Sequence, residues 1–155
     1  MAETVGSGRA RVRCREIMTT DVKTVERNTP IRDVAARMRE GDVGSMPVAE
    51  NGKLVGIVTD RDIVVRAVAE GREPSTPVGE VMTTEIFSVG PDDFAFEAVR
   101  LMGDKQVRRV PVVNNDGSLA GIIAMADVAL EMEDEREIAE TLEEISSGSS
   151  FWSKN

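Results

Sequence analysis

Apolar and polar positions alternate between strand and helix spacings in a fixed order along the chain. Ile31, Val34 and Met38 recur at the spacing that lines one helical face. Thr29 and Pro30 just ahead supply an N-cap and the favoured first helical residue, and Gly41 marks the end. Residues 22–25 predict a short strand before this helix. Residues 46–49 and 54–58 predict two more, joined by the polar turn Glu50-Asn51-Gly52-Lys53. Residues 59–69 predict a closing helix, stopped by Gly71.

The same order then returns. Glu16-Ile17-Met18-Thr19-Thr20 recurs as Glu80-Val81-Met82-Thr83-Thr84, an offset of 64 that also carries Val25 to Val89, Met38 to Met102 and Pro47 to Pro111. One residue is inserted in the turn Asn114-Asn115-Asp116-Gly117. Beyond it the offset is 65, and Gly52, Gly56 and Asp62 map onto Gly117, Gly121 and Asp127. Self-similarity at a fixed period marks two copies of one unit. A unit of about 60 residues buries too little surface to be secure alone. The expected fold is therefore α/β of the α+β kind, with two tandem repeats packed as a pseudo-twofold pair through their sheets. Clefts between the halves would be the natural place for a ligand. The expected plan is a flexible tail at 1–12, repeats at 13–71 and 78–132 joined by a linker at 72–77, an acidic helix at 133–146 and a flexible tail at 147–155.

Composition narrows the chemistry. Aromatics are 3% of 155 residues, so the core must come from Val, Ile, Leu, Met and Ala. There is no histidine and one cysteine, Cys14. The commonest general base and the commonest metal ligand are thus missing, and no nucleophile–base motif replaces them. Catalysis is not expected. A lone cysteine forms no intrachain disulfide and suits a reducing interior. No apolar run reaches the roughly 18 residues of a membrane span, and residues 1–13 lack the apolar stretch of a secretory signal. A cytoplasmic location is expected.

Charge is unevenly spread. Residues 131–144 hold eight acidic side chains against Arg136, leaving −2 of the formal net −9 for all the rest. A nearly neutral body can still hold an anion, whereas the acidic stretch argues against nucleic acid as a partner. Ile138, Leu142 and Ile145 form a narrow apolar stripe there, expected to pack on the module or on a second chain. Phe151 and Trp152 stand out in the terminal tail.

Candidate chemistry centres on Gly56-Ile57-Val58-Thr59-Asp60-Arg61-Asp62, where a strand runs directly into a helix. Thr59 and Asp62 are spaced as a capping-box variant. The same pair could instead offer a carboxylate to ribose hydroxyls and a hydroxyl to phosphate. The second copy, Gly121-Ile122-Ile123-Ala124-Met125-Ala126-Asp127, keeps the aspartate and replaces the threonine with Ala124. Arg108 and Arg109, absent from the first copy, are either solvated or set to meet phosphate with planar guanidinium groups.

The paired Met-Thr segments, Met46-Pro47-Val48 and Val110-Pro111-Val112, and the strand–helix junction resemble the CBS domain family. Together the copies, over residues 14–132, look like a CBS pair or Bateman module. Met38-Arg39-Glu40 and the arginine-bearing second strand are similar to small stand-alone bacterial members of the hypoxic-response type. The resemblance implies a regulatory module binding an adenosine-containing ligand (AMP, ADP, ATP or S-adenosylmethionine) in the cleft between the repeats, as a signal and not as a required cofactor. It implies phosphate and ribose contacts from Thr59 and Asp62, with only Asp127 in the second repeat. It further implies pocket-bordering positions at Ser45, Met46, Pro47, Arg109, Val110 and Pro111, base-side positions at Val22, Thr24 and Ile86, and a homodimer. Two alternatives stay open: a ligand-free dimerising scaffold, and a metal-binding stress protein, which this chain is poorly equipped to be.

Overall fold

Asn51 and Gly52 both take left-handed backbone, at φ of 53° and 79°. A two-residue hairpin turn needs this geometry, and Asn-Gly supplies it with least strain. The turn joins β1 (Ser45–Glu50) to β2 (Lys53–Thr59), antiparallel from Glu50↔Lys53 to Ser45↔Thr59. The register shifts between Val48 and Ala49, leaving Val55 as the extra residue of a β-bulge. The computed structural model describes residues 12–131. The acidic helix expected at 133–146, its stripe of Ile138, Leu142 and Ile145, the tail residues Phe151 and Trp152, and residues 1–11 lie outside the described residues.

The elements run α1 (Cys14–Ile17), α2 (Ile31–Gly41), β1, β2, α3 (Asp60–Ile63) continuing into a π-helical turn (Val64–Val68), a 3-10 turn (Val78–Glu80), α4 (Ala95–Lys105), β3 (Arg109–Val113), β4 (Leu119–Ala124) and α5 (Met125–Glu131). Mixed helix and strand, repeated twice, is the fold expected from the sequence. Ile31, Val34 and Met38 are the buried residues of α2, as their spacing requires.

Several boundaries move. The strand expected at 22–25 shrinks to Val25, which makes a single parallel bridge to Val48 before the chain turns at Glu26. The Thr29 hydroxyl accepts from the Glu26 N–H (3.0 Å) to hold that turn, so Pro30, and not Thr29, is the N-cap of α2. Gly41 remains helical, and Asp42 takes the left-handed C-cap at φ 52°. The closing helix is not uniform either. The Ala69 N–H reaches the Val64 carbonyl at 2.9 Å, a five-residue step, where Ile63, Val64 and Val65 place three β-branched residues in a row.

The described chain forms two compact units that cut across the repeats. One gathers residues 23–86 with the turn 116–119; the other gathers 12–22, 87–115 and 120–131. Each therefore combines the body of one repeat with the Met-Thr lead of the other. In the first unit, Thr83 pairs antiparallel with Ile57 on β2, exchanging backbone bonds of 2.8 and 2.9 Å. In the second, Thr19 does the same with Ile122 on β4, at 2.8 and 3.0 Å. Val25 on β1 and Val89 on β3 complete the two hairpins from the other side.

The glycines opposite these leads explain the close approach. A Cβ on Gly56 would stand 2.5 Å from the Met82 sulfur, and one on Gly121 would stand 2.6 Å from the Thr19 carbonyl oxygen. Each unit has its own core. Val25, Val34, Met38, Val48, Val58, Val78 and Met82 fill the first, and Cys14, Val99, Met102, Val110, Val112, Ile123 and Val128 fill the second.

Candidate ligand site

β2 delivers Thr59 in extended backbone, φ −115° and ψ 162°, and the next residue begins α3. At that junction a first-turn helix N–H needs an acceptor. The Thr59 hydroxyl supplies it, accepting from the Asp62 N–H at 3.0 Å. The Asp62 carboxylate returns the bond, accepting from the Thr59 N–H at 3.0 Å. This is a reciprocal capping box with Asp in the place usually held by Glu or Gln. The capping reading of the junction is therefore realised.

The box does not exhaust the two side chains. The Thr59 hydroxyl has used one lone pair and keeps its proton to give. Asp62 is the buried charged residue of the described core, at 8% exposure. The Thr83 hydroxyl stands within 3.4 and 3.5 Å of its two carboxylate oxygens. Arg66, one turn on, brings its Nε to 3.9 Å from the same carboxylate. That guanidinium also donates to the carbonyls of Val81 and Met82, at 3.1 and 3.2 Å. Arg66 thus ties the closing helix to the segment that carries Thr83. Ser45 pairs with Thr59 across the hairpin, and the Asp60 N–H donates to the Gly44 carbonyl at 2.9 Å. The first unit therefore assembles two hydroxyls, a carboxylate and a guanidinium around one strand–helix junction.

The second unit builds half of this. Asp127 accepts from the Ala124 N–H at 3.2 Å, and the methyl group of Ala124 has no hydroxyl to answer. Arg109 opens β3 with its side chain exposed, and Arg108 is exposed beside it, its carbonyl accepting from the Met125 N–H at 2.9 Å. The second junction offers cations where the first offers hydroxyls.

The structure divides the other expected positions. Thr24, Ser45, Met46, Pro47 and Ile86 belong to the first unit with Thr59 and Asp62. Val22, Val110 and Pro111 belong to the second with Arg109 and Asp127. Met46, Pro47, Val110 and Pro111 are buried, so their side chains shape the hairpins from inside. Thr83 and Arg66 were not anticipated. The recurrence of Met-Thr-Thr and of Gly56 at Gly121 held the signal for Thr83; nothing local pointed to Arg66.

Cys14 is a core residue. Burial, with the Asp93 charge nearby, pushes its thiol up to about 11, and its Sγ sits 3.7 Å from the Phe94 carbonyl. Among the described residues no three His, Cys, Asp or Glu side chains are grouped to hold a metal, and no helix is long and apolar enough to cross a membrane.

Comparison with known proteins gives these features a setting. The family model described as CBS domain matches residues 14–68 and again 78–134. The CBS domain-containing protein YhcV of Bacillus subtilis is 44% identical over 116 residues, covering 75% of this chain and 82% of its own. Hypoxic response protein 1 of Mycobacterium tuberculosis is 37% identical, covering 74% of this chain and 81% of its own. A crystal structure of Hypoxic Response Protein I with two coordinated zinc ions superposes at a TM-score of 0.71, covering 78% of this chain and 99% of that one. CBSX2 in complex with AMP, 26% identical, superposes at 0.68, covering 77% and 94%.

Proposed function

The chain belongs to the CBS domain family, with two CBS repeats, and from that premise we propose that it is a non-catalytic, cytoplasmic regulatory module that senses an adenosine-containing ligand. The observation that carries this reading is the junction of the first unit, where Thr59, Asp62 and Thr83 converge. A nucleoside phosphate presents a vicinal diol and an anion. The Asp62 carboxylate accepts from the diol, and the Thr59 hydroxyl donates to the phosphate. AMP bound to CBSX2 supports this class of ligand. Ser45 and Thr24 border the first site, with Ile86 towards the base. Asp127 and Arg109, with Val22, form a weaker second site, because Ala124 contributes no hydroxyl. AMP, ADP or ATP acts as the signal and no cofactor is required for the fold. The module works as a homodimer.

The ligand-free scaffold is the second reading. What favours it is that Asp62 already accepts from the Thr59 N–H and lies beside Thr83 and Arg66. A zinc-binding role, by likeness to the hypoxic response protein, has little support from the donor set. The chain has no histidine, and its one thiol is buried with a raised pKa.

A thermal-shift screen with AMP, ADP, ATP and S-adenosylmethionine separates these readings. A ligand at 100 times its Kd adds about 2.7 kcal/mol of stability. For a chain of this size that is roughly 5–10 °C. No shift at millimolar nucleotide leaves the scaffold, and a shift with zinc alone revives the metal reading.

A further inference from the structure

The carboxylate at the first junction is already occupied from inside the protein. The Asp62 side chain is 11% exposed. Its Oδ2 accepts from the Thr59 N–H at 3.0 Å, and the Thr83 hydroxyl straddles both oxygens, 3.5 Å from Oδ1 and 3.4 Å from Oδ2. A settled O–H···O bond is about 2.7–2.8 Å long. The capping N–H is therefore held firmly and the Thr83 hydroxyl loosely. The backbone that carries Thr83 is not loose. It exchanges bonds of 2.8 and 2.9 Å with Ile57, and the Arg66 guanidinium grips the carbonyls of Val81 and Met82 just ahead. The hydroxyl can thus leave Asp62 by rotating to another staggered well, with no shift of the main chain.

The internal repeat shows that the fold does not require this contact. Thr19 stands in the place of Thr83 and makes the same backbone bridge, to Ile122. Among the described residues, however, the Thr19 hydroxyl makes no hydrogen bond to Asp127. At the offset of 65, Arg66 is replaced by Glu131. The lead segment is placed alike in both units, and the hydroxyl on the carboxylate belongs to the first alone.

We propose that Thr83 is a built-in rival of the ligand: its hydroxyl holds the place of a ribose hydroxyl on Asp62, and a ligand must turn it away to bind. The proposal rests on the sensor reading and names the residue that sets the concentration at which the sensor responds. A vicinal diol is suited to the displacement. It offers two hydroxyls where Thr83 offers one, so each carboxylate oxygen gains a donor of its own while Oδ2 keeps the capping N–H. Part of the ligand's gain is cancelled by the loss of the Thr83 contact, which holds the first site below the affinity its donors and acceptors could reach.

Calorimetric titration of AMP into the full chain tests this, with the wild type, Thr83→Val, Thr83→Ser and Thr19→Val, and with thermal unfolding of each in the absence of nucleotide. Valine keeps the branched shape that suits a bridged, extended residue and removes the hydroxyl. The proposal expects Thr83→Val to bind AMP about threefold to tenfold more tightly than the wild type. The same variant should melt at a lower temperature without nucleotide, because Asp62 has lost a donor. The opposite signs separate a rival from a supporting side chain, whose loss would weaken both binding and stability. Thr83→Ser, which keeps a hydroxyl, and Thr19→Val should both bind as the wild type does. Measurable binding by Thr83→Val where the wild type is too weak to titrate also supports the proposal. Affinity unchanged or reduced in Thr83→Val, or raised equally by Thr19→Val, overturns the rivalry and leaves the sensor reading standing. No binding to either the wild type or Thr83→Val at millimolar AMP overturns both.

Discussion

Replacing Gly121 with alanine should damage this protein more than the same change at Gly56, although both glycines occupy the same place in their repeats. Each faces the lead segment of the other repeat across a backbone bridge. At Gly121 the new methyl would lie 2.6 Å from the Thr19 carbonyl oxygen and 2.9 Å from two atoms of Met18. A backbone oxygen that accepts from the Ile122 N–H (3.0 Å) cannot retreat without breaking the bridge. At Gly56 the nearest atom, at 2.5 Å, is the sulfur of Met82, and the Thr83 carbonyl is farther off at 3.1 Å. An unbranched thioether can change rotamer. Overpacking of this kind costs about 1–3 kcal/mol. Gly121→Ala should fall at or above the top of that range and Gly56→Ala near the bottom. At about 2–4 °C per kcal/mol these become losses of roughly 6–12 °C and 2–4 °C in Tm. Thermal and urea unfolding of both variants, with Met82→Ala added to Gly56→Ala, read this out. The added truncation should recover part of the Gly56→Ala loss. Equal losses at the two sites, or a larger one at Gly56, would refute the claim that the lead segments are clamped by these contacts.

Two further outcomes follow from the junctions and the core. Ala124→Thr should complete the half-built box at Asp127 and raise stability by about 0.5–1 kcal/mol, seen as a higher urea midpoint at unchanged m; a neutral or negative effect would contradict the proposed equivalence of the two junctions. Cys14 should resist a thiol reagent at pH 8 until the protein is unfolded. Its folded pKa, about 11, lies above the ordinary 9.0. The stability it contributes is therefore full below pH 9 and lost as pH rises towards 11. Unfolding titrations across that window check the sign, and rapid labelling of the native protein would show the thiol to be accessible.

The parts of the fold that local physics decides were readable from the chain. The spacing of Ile31, Val34 and Met38 identified the buried face of α2, and Asn51-Gly52 identified the hairpin. The repeat itself located both strand–helix junctions, and the spacing of Thr59 and Asp62 anticipated the capping box. What escaped was long-range or conditional. Whether the Met-Thr lead of a repeat joins its own body or the other depends on pairings between segments distant in sequence, Thr83 with Ile57 and Thr19 with Ile122, and no local pattern decides it. The exchange brings Thr83 to Asp62, so the site was only half visible. Arg66 acts through the carbonyls of Val81 and Met82, beyond the end of its own helix, which a side chain's identity does not disclose. The π-helical turn and the Asp42 cap arise from competition among several acceptable geometries, where spacing alone predicts an ordinary helix.

The measurement that bears most directly on the sensor reading is calorimetric titration of AMP into the wild type, Asp62→Asn and Asp127→Asn. Asparagine retains an acceptor for the capping N–H but removes the carboxylate charge, so the folds should survive. Hydrogen bonds to a charged group are worth about 1.5–3 kcal/mol, or roughly tenfold to a hundredfold in affinity. The proposed site predicts that wild type binds, that Asp62→Asn weakens binding by that factor, and that Asp127→Asn retains most of it. Equal losses in the two variants, a larger loss at Asp127, or no binding to wild type at millimolar AMP would contradict it.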